Sequence, residues 1–144
     1  VSPMVGSVPL PALERIGELK PIWSLNERES GLLAARLGSA VEAGDHASTC
    51  EALSGLLGTV LVRAGERGSW FADGGSATRT PSIPVTPVDT NGAGDAHSGV
   101  LAAALARGTD LATALRWANI AGALTTTHFG PATCPSGAEI RALA

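Results

Sequence analysis

Seven consecutive residues, Asp89-Thr90-Asn91-Gly92-Ala93-Gly94-Asp95, carry the groups that phosphate chemistry requires. The two glycines allow the main chain to turn tightly and to expose its amides. A helical pattern rich in alanine starts here, and the first N–H groups of a helix lack internal partners and lie at the positive end of its dipole. Such a turn is suited to binding phosphate. Asp95 adds a carboxylate that can accept a proton from a hydroxyl beside that phosphate, so the segment predicts phosphoryl transfer.

This segment admits two other interpretations. A tight turn from an extended segment into a helix can carry an aspartate in its first turn for dipole reasons alone. The segment is not a dinucleotide-binding fingerprint, because His97 occupies the third glycine position. The chain also contains no G-K-[ST] phosphate-binding sequence. A dinucleotide-dependent oxidoreductase is therefore disfavoured.

The pattern D-T-x-G-A-G-D, followed by a helix of small residues, resembles the C-terminal signature of the PfkB (ribokinase-like) carbohydrate kinases. This resemblance implies an α/β fold, the ribokinase-like three-layer sandwich, and ATP-dependent phosphorylation of a hydroxyl on a sugar or a nucleoside. It implies that Asp95 is the catalytic base. It further implies that the amides of Gly92, Ala93 and Gly94 form the anion hole for the transferred phosphoryl group.

An earlier N-x-x-E motif places Asn26 and Glu29 at the start of a helix. By itself this spacing is a capping arrangement, in which each side chain binds the other residue's amide. In the PfkB family a motif of this kind governs Mg²⁺ and phosphate binding. The resemblance therefore implies that Asn26 and Glu29 organise Mg²⁺, with the carboxylate of Glu29 acting through water, since Mg²⁺ keeps several of its waters.

The segment from Arg63 to Gly68 follows the strand expected at 59–62 and has the composition of a hairpin turn. The family has T-x-G-x-x-G at this point, with the threonine and first glycine near the nucleotide phosphates. Gly65 and Gly68 match that pattern, whereas Arg63 replaces the threonine. Whether the contact made by the threonine hydroxyl has a counterpart in this chain therefore stays open. The guanidinium of Arg63 can pair with phosphate oxygens instead.

Three further assignments come from the same resemblance. Asn119, in an alanine-rich helix, corresponds to a residue of the nucleotide-base pocket, although a polar residue packed against a loop is the simpler interpretation. Asp89, the Asn91 carbonyl and the loop 130–134 resemble a monovalent cation site, which implies K⁺. His97 replaces an aromatic residue common in the family, and we interpret it as a packing residue.

The elements that must position these residues alternate between strands and helices, which indicates an α/β fold. The patterns predict helices at 11–20, 26–37, 41–57 and 93–107, a helix capped by Thr109 with Asp110 in its first turn, and a last helix capped by Ser136. Strands are expected at 22–25, 59–62 and 69–72. Residues 78–88 are expected to be extended at a sheet edge, because their prolines cannot donate ladder hydrogen bonds.

Composition limits the function classes. The 144 residues have a net charge of −3 and no basic cluster, which argues against nucleic acid as the main partner. No apolar run is long enough to span a membrane, and Val1-Ser2-Pro3-Met4 shows no signal-peptide pattern. With only Cys50 and Cys134, a reducing cytoplasm is the expected location.

The resemblance extends from about residue 20 to the C-terminus, which corresponds to the rear half of the family pattern. The di-glycine motif, the acidic residue that holds sugar hydroxyls and the small β lid of the front half are not found in these 144 residues. We therefore expect residues 1–144 to form a single α/β domain, the nucleotide-binding half of such a kinase. A homodimer or the missing N-terminal half would complete it. A nucleotide-binding module without turnover is the alternative from another functional class, and the acceptor, sugar or nucleoside, stays open.

Overall fold

The structure is a computed structural model that describes residues 6–144. The expectation drawn from Val1-Ser2-Pro3-Met4 concerns residues outside this range. The chain divides into two compact units. The first holds the described residues through Ala64 together with Trp70–Arg79, and the second holds Gly65–Ser69 and Thr80–Ala144. The expectation of a single domain stays a prediction.

The first unit combines a parallel strand pair with helices. Its helices include α1 (Leu10–Gly17), α2 (Glu27–Arg36) and α3 (His46–Leu57), and its strands include β1 (Trp23–Asn26) and β2 (Thr59–Arg63). The two strands pair in parallel from Trp23↔Val60 to Asn26↔Arg63. Parallel neighbours require a crossover connection, and α2 and α3 lie in the segment that provides it. The prediction of an α/β fold is confirmed in this unit.

Two more strands extend the sheet, β3 (Ser69–Asp73) and β4 (Thr78–Thr80), in the order β1-β2-β3-β4. A short 3-10 turn, Gly65–Arg67, connects β2 to β3 and confirms the predicted turn. The last strand is at the edge of the sheet, as expected, but it ends before Pro81. The prolines at 81, 84 and 87 explain why it stops, because they lack the N–H that would continue the ladder.

Apolar residues from α1, α2, α3 and three strands form the core of the first unit. Its central strand, β2, is buried through Val60, Leu61 and Val62, each with 0% exposure. A continuous apolar run of this kind is typical of a parallel strand covered on both faces. Trp23 and Trp70 pack against this core.

Helix α3 begins later than the sequence predicted. The expected start at residue 41 is wrong, because Asp45 is the N-cap and its carboxylate accepts a hydrogen bond of 3.0 Å from the Ser48 amide. The short segment before Asp45 contains Gly44, which has a positive φ of 88°. The apolar Val41 favoured an earlier first turn in the sequence pattern, whereas the capping side chain of Asp45 decides where the helix starts.

The second unit is built on three helices, α4 (Ala93–Ala106), α5 (Leu111–Thr125) and α6 (Gly137–Ala142). Asp110, not Thr109, is the N-cap of α5, because its carboxylate accepts a hydrogen bond of 3.0 Å from the Thr113 amide. Ser136 caps α6 in a reciprocal capping box, as predicted.

Small residues allow α4 and α5 to approach closely. A methyl group added at Gly122 of α5 would lie 3.3 Å from the Ala93 carbonyl oxygen and 3.6 Å from Cβ of His97. Ile120, Ala121 and Ile140 form a buried cluster, and Trp117 packs against it. The helix pair is thus held at short range near the first turns of α4. Within residues 6–144, no helix combines the length and apolarity required to cross a bilayer.

The two cysteines differ in environment, and the difference predicts their reactivity. Burial raises the pKa of the Cys50 thiol to about 11, whereas Cys134 is exposed. Because the thiolate is the reactive form, we expect a disulfide reagent at pH 8 to modify Cys134 rapidly and Cys50 only after unfolding. The measurement is the number of thiols titrated with and without denaturant, with Cys134→Ser as the control. Rapid labelling of folded Cys134→Ser would contradict this assignment.

Candidate functional site

The turn that opens α4 requires glycine for two reasons. Gly92, the N-cap, has a left-handed conformation with φ 78° and ψ −8°. A Cβ atom at this position would lie 2.2 Å from the Pro131 carbonyl oxygen. A residue with a side chain would be strained by the left-handed backbone conformation, and its Cβ atom would clash with the Pro131 carbonyl. The D-T-N-G-A-G-D segment therefore forms a specific turn against the 130–134 loop.

This turn leaves main-chain amides at the helix start. Gly92 supplies no side-chain cap. The first helical hydrogen bond is donated by the Ala96 amide to the Gly92 carbonyl at 2.9 Å, and the Ala93 amide makes a long contact of 3.4 Å with the Thr90 carbonyl. The amides of Gly94 and Asp95 precede the helical ladder. Together with the helix dipole, they provide positive charge where an anion could bind.

Asp95 lies in the first turn of α4 and is exposed to solvent. Gly92, Ala93 and Gly94 are each partly exposed beside it. The structure thus places a carboxylate in the same helical turn as the amides that could bind an anion. This arrangement can accept a proton from a group held at the helix N-terminus.

Asp89 connects the start of this turn to the loop after α5. Its Oδ1 accepts a hydrogen bond from the Asn91 amide and its Oδ2 accepts one from the Gly130 amide, both at 3.0 Å. These backbone hydrogen bonds lower the pKa of the Asp89 carboxyl below its usual value. The Asp89 and Val88 amides both donate to the Thr126 carbonyl, at 3.1 and 2.7 Å. The structure therefore brings Asp89, Asn91 and the 130–134 loop together.

In the first unit, Asn26 and Glu29 form a capping box at the start of α2. The Asn26 Oδ1 accepts from the Glu29 amide at 2.8 Å, and the Glu29 Oε2 accepts from the Asn26 amide at 2.9 Å. Glu29 is only 2% exposed. The local hydrogen bonds are those of helix capping, and a role in metal binding stays a prediction. Over residues 6–144, no three His, Cys, Asp or Glu side chains gather in a way that could hold a metal ion.

The residues of the Arg63–Gly68 segment lie at the end of β2 and in the turn that follows it. Arg63 is the last residue of β2 and is partly buried. Gly65 and Gly68 have positive φ angles of 55° and 87°. A Cβ atom on Gly68 would lie 2.2 Å from the Thr80 carbonyl oxygen, so this glycine is required for close main-chain packing. Their contacts with a nucleotide stay a prediction.

Asn119 is buried within the second unit and makes hydrogen bonds with protein groups. Its Nδ2 donates to the Thr80 and Pro81 carbonyls at 2.9 and 3.2 Å, and its Oδ1 lies 3.0 Å from the His97 Nε2. This is the packing against a loop that the simpler interpretation described. His97 is buried as expected, but it also makes a hydrogen bond that sequence reasoning missed. The feature of the sequence that could have indicated this hydrogen bond is a histidine, His97, at a position of an apolar helix where the family has an aromatic residue.

The geometry of Gly92 predicts a strong intolerance to substitution. We expect Gly92→Ala to destabilise the chain by about 2 kcal/mol or more, because a left-handed alanine is strained and its methyl group meets the Pro131 carbonyl. Gly99→Ala in the same helix is the matched control, since its Cβ would enter open space. Replacing this helical glycine should stabilise by up to about 1 kcal/mol. Urea unfolding of both variants measures the difference, and equal stabilities would refute the steric argument.

The lowered pKa of Asp89 predicts a pH-dependent contribution to stability. A carboxyl whose pKa is depressed in the folded state stabilises the fold above its unfolded pKa, about 3.9, and loses that contribution as the pH falls through the folded value. We therefore expect Asp89→Asn to reduce the free energy of unfolding more at pH 6 than at pH 3. Denaturant unfolding at the two pH values tests this. The same reduction at both would show that the charge of Asp89 is unimportant.

Comparison with known proteins places these observations in one family. The pattern described as pfkB family carbohydrate kinase matches residues 8–137. An uncharacterised sugar kinase, YegV, from Escherichia coli K12 is 30% identical over 138 residues, which cover 96% of this chain and 42% of that protein. The chain thus spans about two fifths of the length of this curated relative.

Solved structures show the same relationship. A putative ribokinase II from E. coli in complex with ATP and Mg²⁺ is similar with a TM-score of 0.73 and 31% identity, covering 92% of this chain and 41% of that one. A nucleoside kinase from Burkholderia thailandensis in complex with inosine has a TM-score of 0.73 and 28% identity, covering 92% and 42%. The predicted ribokinase-like fold class is therefore confirmed, and the chain belongs to the PfkB family of carbohydrate kinases.

Proposed function

We propose that the chain is the nucleotide-binding, C-terminal part of a kinase that transfers the γ-phosphoryl group of ATP to a hydroxyl of a sugar. The observation that carries the proposal is the N-terminus of α4. There, Gly92 holds a left-handed turn without a side-chain cap, and the exposed Asp95 lies in the first helical turn. Membership of the PfkB family supports phosphoryl transfer to a carbohydrate.

In this proposal Asp95 acts as the general base. Its carboxylate accepts the proton of the acceptor hydroxyl while that oxygen forms a bond to the γ-phosphorus. The bond between the γ-phosphorus and the bridging oxygen breaks, and ADP leaves with that electron pair. The amides of Gly92, Ala93 and Gly94 stabilise the negative charge on the transferred group, because preorganised donors require no rearrangement as the charge develops.

Asn26 and Glu29 are proposed to organise Mg²⁺, which when bound neutralises charge on the ATP phosphates. Their oxygen donors suit Mg²⁺. Glu29 is buried and one of its oxygens is engaged in the capping box, which favours contact through water over direct ligation. The solved relative that contains ATP and Mg²⁺ supports the choice of nucleotide and metal.

The remaining assignments follow from the family resemblance. Arg63, Gly65 and Gly68 are proposed to contact the nucleotide phosphates. The side-chain amide of Asn119 already makes hydrogen bonds with His97 and with the Thr80 carbonyl. We therefore propose that Asn119 contributes to the base pocket indirectly, by holding the main chain at Thr80.

A monovalent cation such as K⁺ is proposed beside the anion hole. Asp89 would contribute charge and hold the loop, since each of its carboxylate oxygens already accepts an amide hydrogen bond. The main-chain carbonyl of Asn91 would be a ligand. Oxygen ligands of this kind suit a hard cation.

The acceptor distinguishes two candidate functions. A nucleoside is the second candidate, favoured by the similar nucleoside kinase in complex with inosine.

The partner that completes the acceptor pocket is proposed to be an N-terminal half or a second copy of the chain. A nucleotide-binding module without turnover is the remaining alternative. Small molecules are the proposed substrates, with neither nucleic acid nor membrane as a partner, and location in the cytoplasm stays a prediction.

Removal of the proposed base tests the function. In the longest polypeptide that contains this chain, we expect Asp95→Asn to lower kcat by about 10²- to 10⁴-fold, the usual contribution of a general base. The dissociation constant for ATP should change by less than about threefold, because the amides remain. ADP production is measured with a panel of sugars and nucleosides, and ATP binding by calorimetry.

The control for this experiment is Glu42→Gln, which removes one exposed carboxylate outside the helices. It should leave both kcat and ATP binding unchanged. Undiminished kcat in Asp95→Asn would remove the proposed base. ATP binding by the wild type without turnover on any acceptor would favour the module that only binds nucleotide.

A further inference from the structure

A buried polar connection runs through the second unit from α4 to Thr80, the last residue of β4, and to Pro81, which follows it. His97 and Asn119 are each 5% exposed, and their side chains meet at 3.0 Å. Asn119 in turn donates to two successive carbonyls, those of Thr80 and Pro81. Buried polar groups of this kind are costly unless they are paired, so the contacts select one arrangement of the elements that carry them.

The acceptors at the end of this connection determine which atom carries each proton. Backbone carbonyls only accept hydrogen bonds, so the NH₂ of Asn119 must face Thr80 and Pro81. Its carbonyl oxygen then faces His97 and can only accept. The imidazole must therefore donate from Nε2, which assigns the proton of His97 to that nitrogen.

Both ends of this connection adjoin turns that are proposed to bind phosphate. His97 follows Asp95 by two residues in the same helix. At the other end, Gly68 packs so closely on Thr80 that an added Cβ would lie 2.2 Å from its carbonyl oxygen, with Ser82 N at 2.8 Å. The His97–Asn119 pair thus links the first turn of α4 to the Gly65–Gly68 turn through the main chain at Thr80.

We propose that His97 and Asn119 are positioning residues that hold Asp95 and its anion hole in register with the Gly65–Gly68 turn. This inference rests on the proposed function. Neither side chain touches the reacting atoms. Their effect is on alignment, and a displacement of about 1 Å can lower the rate of a positioned reaction about 10²-fold.

Two variants of His97 separate positioning from general stability. His97→Leu removes the donor and leaves the Asn119 oxygen buried without it, whereas His97→Gln can place an amide donor near the position of Nε2. In the longest polypeptide that contains this chain, we expect His97→Leu to lower kcat by about 10- to 100-fold with a change below about threefold in the KM for ATP. We expect His97→Gln to recover kcat to within about fivefold of the wild type.

The control is Ile140→Ala, which creates a cavity in the buried cluster of α5 and α6 without touching the polar connection. It should lower stability, measured by urea unfolding, and leave kcat unchanged. The double variant His97→Leu/Asn119→Leu should have a kcat close to that of the less active single variant, because Asn119→Leu already removes the hydrogen-bond partner of His97. Loss of kcat in proportion to stability across all variants, or no recovery in His97→Gln, would overturn the proposal.

A spectroscopic measurement tests the connection without enzyme activity. Long-range ¹H–¹⁵N correlation spectra should show the His97 ring protonated at Nε2, and Asn119→Leu should shift that signal. A ring protonated only at Nδ1 would overturn the proposed connection. If the wild type transfers phosphate to no acceptor, the proposed function fails and with it the positioning role, while the Nε2 signal still decides whether the connection exists.

Discussion

The missing side chain at Gly92 is the constraint on which the candidate site depends. Because no Cβ is present, the main chain can adopt a left-handed turn and at the same time contact the Pro131 carbonyl. This turn directs the chain into α4 with its first amides outside the helical ladder. Asp89 holds the other side of the same contact through the Gly130 amide. The conformation of the turn and the position of the loop therefore depend on each other.

The helix termini of the chain differ in a way that agrees with the proposed function. Helices α2, α3, α5 and α6 begin with a side chain that accepts a hydrogen bond from an amide of the first turn, supplied by Asn26, Asp45, Asp110 and Ser136. Such caps satisfy donors that a helix leaves unpaired. Helices α1 and α4 lack a side-chain cap, since α1 follows Pro9 and α4 follows Gly92. A glycine N-cap satisfies none of the first-turn amides of α4 through a side chain, which agrees with the proposed anion hole.

Phosphoryl transfer by such a protein depends on alignment and charge more than on covalent chemistry. The chain spans about two fifths of the length of its curated relative, so the elements that bind the acceptor are proposed to lie outside these 144 residues. Within the second unit, the close approach of α5 to α4 and the buried His97–Asn119 pair restrict the first turn of α4. A rigid N-terminus would maintain the anion hole before any ligand binds.

The sequence by itself determined the features that depend on local patterns. The D-T-N-G-A-G-D segment predicted a glycine turn at the start of a helix, residues 59–62 predicted a strand, and the spacing of Asn26 and Glu29 predicted a capping box. Each of these depends on residues within one or two turns of each other, where residue type and spacing decide the conformation. The family resemblance rested on the same short motifs.

Only the tertiary structure decided which distant groups meet. His97 contacts Asn119, and Asn119 holds the carbonyls of Thr80 and Pro81. These partners are far apart in the sequence, and no periodicity relates them. The true start of α3 at His46 also had to be observed, because the Asp45 cap outweighed an apolar pattern that permitted an earlier start. Long-range contacts depend on how the packed elements bring their side chains together, and a one-dimensional pattern does not contain that information.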